Sequence, residues 1–86
     1  MAAEFTFIIS DPEGMHARPA GRLVEEAQKY QSAITLDDNG TTADAKRIFA
    51  VMALGAKQGD VIDVTVDGPD QDKAAQELQA FFKENL

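Results

Sequence analysis

Hydrophobic and polar residues alternate along three of the four segments that we predict to be strands, a pattern typical of strands with one buried face, and the remaining segment follows a hairpin signal. The predicted strands are Glu4 to Ile9, the residues around Ile34 and Leu36, Thr41 to Ala43, and Val61 to Val66. The run Asp38-Asn39-Gly40 predicts a tight hairpin between the second and third strands, because Asn-Gly accepts the positive φ angles that such a turn needs.

Three other segments place apolar residues at helical spacing. The first predicted helix runs from Pro19 to about Lys29, the second from Lys46 to Leu54, where Gly55 ends it, and the third follows Gly68-Pro69-Asp70. The apolar stripe of the first helix is Ala20, Leu23, Val24 and Ala27, and that of the third is Ala74, Leu78, Phe81 and Phe82. The order β-α-β-β-α-β-α favours an α+β fold in which one antiparallel sheet has helices on one face and solvent on the other.

Composition limits the kind of protein. A chain of 86 residues is expected to be one domain spanning residues 1–86. Its net charge of −7 disfavours a nucleic-acid partner or an anionic membrane surface, since both are bound by basic surfaces. The chain has no cysteine and shows no secretory signal, so we expect a cytoplasmic protein without disulfides.

The chain's single histidine lies in Gly14-Met15-His16-Ala17-Arg18-Pro19-Ala20. An imidazole is a nucleophile near neutral pH, and a helix N-terminus and an arginine both bind phosphate oxygens. Pro19 disfavours the α conformation of Arg18, so we expect the helix to begin at Pro19 and the amides of Ala17 and Arg18 to face a ligand from just outside it. The plainer interpretation is that His16 caps the helix or is simply solvated.

Other kinds of site find less support in the sequence. The chain lacks a second histidine and any cysteine, so we expect neither a metal site nor a cofactor. Ser10 and Ser32 lie outside the sequence context of a nucleophilic serine. No Gly-x-x-x-x-Gly-Lys run is present, which argues against an enzyme that transfers phosphoryl groups from nucleotides.

The His-x-Arg-Pro-Ala run, the Asn-Gly hairpin, Ala45-Lys46 and Leu54-Gly55 occur in an order that resembles the HPr family, the histidine phosphocarriers of the bacterial sugar phosphotransferase system (PTS). The resemblance implies an open-faced β-sandwich with strand order 1-4-2-3 and three helices on one face. It also implies that His16 accepts a phosphoryl group at Nδ1 from phospho-enzyme I, charged by phosphoenolpyruvate, and passes it to IIA domains of sugar permeases. Arg18 would stabilise the phosphorylated form. Such a protein is a reusable phosphoryl carrier rather than an enzyme.

The second predicted helix is too short to bury all its apolar residues, so an exposed patch beside the histidine is expected to bind partners. By resemblance, this surface would include Ala17, Leu23, Ile48, Phe49 and Met52. We expect the protein to be a monomer.

Many family members carry a regulatory serine at the start of the second helix, and Arg47 stands there in this chain. Two alternatives to sugar uptake remain open. One is a paralogous carrier in a regulatory, nitrogen-type phosphorelay, and the other is a docking module of the same fold that transfers nothing.

Overall fold

A computed structural model describes all 86 residues. The elements are β1 (Ala3–Ile8), α1 (Ala17–Ala27), β2 (Ala33–Asp38), β3 (Thr41–Asp44), α2 (Ile48–Ala53), β4 (Val61–Asp67) and α3 (Gln71–Asn85). The strands form one antiparallel sheet in the order β1-β4-β2-β3. The expected α+β class, element order and strand order are confirmed. None of the three helices is long and apolar enough to cross a membrane.

The two faces of the sheet differ because side chains alternate along each strand. One row of paired residues across the sheet, Phe5, Val64, Leu36 and Ala43, points toward the helices and contributes to the protein interior. The neighbouring row, Thr6, Asp63, Asp37 and Thr42, lies on the opposite, open face. The alternation read from the sequence thus assigns the buried face correctly.

The hydrophobic core lies between the sheet and the three helices and forms a single cluster. The buried ring of Phe82 on α3 contacts two rings of β1, with centroids 6.0 Å from Phe5 and 5.0 Å from Phe7. These contacts fasten the last helix to the first strand. Phe81, predicted in the same stripe, is only partly buried and packs at the edge of the core.

The hairpin between β2 and β3 has the predicted turn. Asn39 and Gly40 both have positive φ, 56° and 92°, as a type I′ turn requires. The Gly40 amide also donates to Asp37 Oδ1 over 2.8 Å, so side chain and backbone both fix this turn.

Two helices begin at residues other than those predicted. Helix α1 starts at Ala17, two residues before Pro19, and its first hydrogen bond runs from the Ala20 amide to the His16 carbonyl over 3.0 Å. Pro19 is tolerated inside the first turn because an amide there would have no acceptor within the helix. Helix α2 starts at Ile48 rather than Lys46, since the Lys46 amide is held in a turn by Asp44 Oδ1.

Two aspartates outside the histidine region are held in contrasting ways. Asp70, at the start of α3, accepts hydrogen bonds from the Ser32 hydroxyl and from the amides of Gln31 and Ser32, and these bonds lower its pKa. Asp38 lies on the inward side of β2, where burial, then a hydrogen bond with Asp60, raises its pKa. The surroundings of Asp70 thus stabilise its ionised form, whereas those of Asp38 disfavour its ionised form.

Candidate functional site

His16 stands at the N-cap of α1, at the end of a loop fastened to two distant parts of the chain. The amides of Ser10 and Asp11 donate to the Leu86 carbonyl over 2.7 and 2.8 Å, and the Met15 amide donates to the Ala56 carbonyl over 2.9 Å. Between these anchors, Gly14 has a φ of +67° and lies against the backbone of residues 56 and 57. The imidazole is therefore carried on a backbone with a fixed path.

Two carboxylates face the imidazole. His16 Nε2 lies 3.4 Å from Asp11 Oδ2 and 3.7 Å from Glu13 Oε2. The Asp11 side chain is 27% exposed and the Glu13 side chain 76%, so Asp11 is the more enclosed neighbour. The ring itself is partly exposed and remains accessible to another molecule.

Positive groups also lie near the ring, since His16 caps the N-terminus of α1 and Arg18 lines the same depression. The amides of Ala17 and Arg18 donate to no acceptor within the protein, as expected for the first turn of a helix. The exposed Arg18 guanidinium makes no ion pair. Ala17 and Arg18 lie inside the first turn rather than just outside the helix as predicted, but their amides are free in either arrangement. The site therefore offers an anion one guanidinium and the positive end of a helix.

Arg22 is a site residue that the sequence interpretation did not include. It lies one helical turn after Arg18, on the same side of α1, and its Nη1 donates to Asn85 Oδ1 over 3.3 Å. With His16 it borders an open depression of about 280 Å³, lined by Asp11, Glu13, His16, Arg18, Pro19, Arg22, Glu84 and Asn85. The i, i+4 spacing of the two arginines was the signal that could have found it.

The expectation of no metal site rested on the lack of a second histidine and of cysteine. The structure brings one ligand atom each from Asp11, Glu13 and His16 within 4.8 Å of one another, and such a set could hold a divalent cation. Arg18 and Arg22 line the same depression and oppose a positive ion there. The surroundings of the ring are thus mixed in charge.

The residues expected to bind partners fall into two groups. Phe49 on α2 is 86% exposed, Met52 and Ala17 are also exposed, and Ile48 is partly buried. Leu23, in contrast, is fully buried in the core, because it lies on the inward stripe of α1. Its expected place on the partner surface is wrong for this structure. The position expected to lack the regulatory serine, Arg47, is the exposed N-cap of α2.

Comparison with known proteins places this geometry in a family. The family model described as the PTS HPr component phosphorylation site matches residues 3–84. The chain belongs to the HPr family. The HPr phosphocarrier of Xylella fastidiosa is 41% identical over 93% of this chain and 90% of its own length. That of Mycoplasma capricolum is 43% identical over 90% of this chain and 86% of its own length.

Solved HPr structures agree with the fold described above. The histidine-containing phosphocarrier protein of Mycoplasma superposes with a TM-score of 0.93 at 40% identity, covering 95% of this chain and 93% of that one. The sequence-based assignment to the HPr family and its open-faced fold is therefore confirmed. HPr proteins are phosphocarriers of the phosphotransferase system, and this chain is one of that family.

Proposed function

We propose that this HPr-family protein accepts a phosphoryl group on His16 from phospho-enzyme I and donates it to IIA domains of sugar permeases. The observation that supports this most strongly is the arrangement around the chain's one imidazole, with two free amides and an unpaired guanidinium beside it. These groups are suited to three phosphate oxygens, and the ring supplies the nucleophile.

The transfer exchanges one nitrogen–phosphorus bond for another. The lone pair of a His16 ring nitrogen forms a bond to phosphorus while the bond to the donor's histidine nitrogen breaks, and the donor ring regains its lone pair. Arg18 and the amides of Ala17 and Arg18 then bind the oxygens of the transferred group. Donation to the next protein is the same exchange in reverse, so the carrier returns unchanged and performs no net reaction of its own.

The placement of His16 suits a carrier that meets two proteins in turn. The ring is partly exposed, and an apolar surface made of the exposed Phe49 and Met52 and the partly buried Ile48 lies on α2, which packs against α1. An exposed aromatic side chain such as Phe49 has no packing function within the monomer, and such residues commonly anchor protein interfaces. We assign this surface and Ala17 to partner docking. We also propose that the protein acts as a monomer in the cytoplasm.

A phosphorylation assay tests the proposal. The wild-type protein and His16→Ala are incubated with enzyme I and phosphoenolpyruvate, and the intact mass and the acid and base stability of any adduct are measured. We expect one phosphoryl group, labile in acid and stable in base, that is absent from His16→Ala, and we expect it to pass to a IIA domain.

Controls separate the alternatives. Circular dichroism confirms that His16→Ala is folded, and Lys73→Ala, a change at an exposed position on α3 that does not border the depression, should behave like the wild type. A folded wild-type protein that takes up no phosphoryl group from enzyme I would overturn the proposal. Uptake from the enzyme I of a nitrogen-type relay alone would instead assign it to the regulatory branch.

A further inference from the structure

We infer that Asp11 is a positioning residue for phosphoryl transfer: its carboxylate holds the Nε2 hydrogen of His16, so that the lone pair of the neutral ring is at Nδ1. This inference rests on the proposed function and adds a further residue to it. The contact that carries it joins Asp11 Oδ2 to His16 Nε2 over 3.4 Å.

The two oxygens of Asp11 have different neighbours. Oδ1 accepts a hydrogen bond from the Glu13 amide over 2.8 Å, and the backbone of Asp11 is fastened through its own amide to the Leu86 carbonyl. One bond thus holds the side chain and the other holds its backbone, and together they direct Oδ2 at the ring. Glu13 has no comparable support, lies 3.7 Å away and is mostly exposed.

The chemistry of the carboxylate decides which ring nitrogen keeps the proton. An ionised carboxylate only accepts hydrogen bonds, so the nitrogen facing it must be the one that carries hydrogen. In a neutral imidazole the other nitrogen then holds the free lone pair. With Asp11 at Nε2, the nucleophilic nitrogen is Nδ1.

The same carboxylate faces the charge that the transfer creates. When Nδ1 bonds to phosphorus and the donor's nitrogen–phosphorus bond breaks, the proton stays on Nε2 and the ring becomes positively charged. Asp11 Oδ2 then pairs with a cation, and hydrogen bonds of this kind are shorter and stronger than neutral ones. A separation of 3.4 Å in the resting protein is long for a hydrogen bond, and contacts of this type tighten as the reaction proceeds.

The other charged groups around the ring differ from Asp11 in distance or sign. Glu13 and Glu84 are negative, and Arg18 and Arg22 are positive, on the depression that His16 borders. Only Asp11 and Glu13 have an ionic contact with the ring. Because Glu13 is exposed, its charge is well screened by solvent, and it provides a matched control with the same charge and nearly the same distance.

The test compares Asp11→Asn with Glu13→Gln, each of which removes one negative charge. Asparagine retains an oxygen for the Glu13 amide and turns an NH₂ group toward the ring, which favours the opposite tautomer. Nitrogen-15 NMR of the neutral imidazole in EDTA-treated protein should show a larger share of the Nδ1–H form in Asp11→Asn and no change in Glu13→Gln. The rate of phosphorylation by enzyme I should fall on the order of 10-fold in Asp11→Asn and less than about 2-fold in Glu13→Gln.

The outcomes separate this inference from the proposed function. Unchanged tautomers and rates in a folded Asp11→Asn variant, or equal losses in both variants, would overturn the role of Asp11 and leave His16 as the acceptor. If even the wild type takes up no phosphoryl group, the proposed function fails, while the NMR comparison still decides whether Asp11 sets the tautomer. Should Asp11→Asn not fold, Asp11→Ser is used, since its hydroxyl can still accept from the Glu13 amide but leaves nothing facing the ring.

Discussion

Replacing Gly14 by alanine measures how tightly the loop that carries His16 is held against the rest of the protein. A Cβ atom built on Gly14 would lie 2.4 Å from the Ala56 carbonyl oxygen and 2.9 Å from the Lys57 Cα, and both are backbone atoms that cannot rotate away. The loop must therefore move, and the hydrogen bond from the Met15 amide to the same Ala56 oxygen is the first to be lost.

The expected loss of stability has two parts. The φ of +67° is unfavourable for alanine by about 1 kcal/mol, and the loss of one backbone hydrogen bond costs about 1 to 1.5 kcal/mol. The free energy of unfolding should fall by about 2 to 3 kcal/mol, which for a domain of this size lowers the unfolding temperature by about 10 to 20 °C. Urea and thermal unfolding followed by circular dichroism measure both quantities.

Gly55→Ala is the matched control for this change. Gly55 has nearly the same φ, +62°, but nothing lies within 4 Å of the position its Cβ would take. This variant should lose only the conformational part, about 1 kcal/mol, and its rate of phosphorylation should be unchanged, whereas that of Gly14→Ala should fall with the displaced ring. Equal losses of stability in the two variants would refute the reasoning, since the close contact at Gly14 would then have no energetic effect.

Three further predictions concern charge and surface. Asp70→Asn should lower the urea midpoint at pH 7 and lower it much less in acid. Hydrogen bonds from Ser32 lower the pKa of Asp70, so the ionised carboxylate stabilises the fold above the ordinary pKa of 3.8. That stabilisation is lost as the pH falls through the lowered pKa. Asp38→Asn should raise the unfolding temperature at pH 7 but change it little in acid. Burial raises the pKa of Asp38, so the folded state favours the protonated carboxyl, and the stability gained from this preference is lost as the pH rises through the raised pKa. An equal effect at both pH values would contradict this prediction. Phe49→Ala should change the free energy of unfolding by less than about 0.5 kcal/mol, because the side chain is 86% exposed. The same change should slow phosphoryl transfer from enzyme I. Unchanged transfer kinetics would argue against the docking surface.

Most of the fold could be predicted from the sequence because its signals are local. Alternation places Phe5 and Phe7 on the buried face of β1, and Asn39-Gly40 specifies the hairpin through backbone angles that few other residues accept. The starts of α1 and α2 were harder to predict, since a proline fits several positions of a first turn and the bond between Lys46 and Asp44 depends on where β3 ends.

The site was predictable only where its residues are neighbours in the sequence. His16, Ala17 and Arg18 come together because they share one turn of chain. The approach of Asp11 to the imidazole depends on the path of the whole loop and on its anchor at Leu86, which lies at the other end of the chain. Leu23 was assigned to the partner surface by resemblance, although its own apolar spacing already placed it on the buried stripe.

The strand order has a consequence for how the chain folds as it is synthesised. Strand β1 pairs only with β4, whose residues are 61–67, whereas β2 and β3 are joined by a short hairpin and can pair as soon as they are made. Residues 3–8 therefore have no hydrogen-bonded strand partner until β4 has left the ribosome. The sheet can be completed only when β4 is present, because β4 pairs with both β1 and β2.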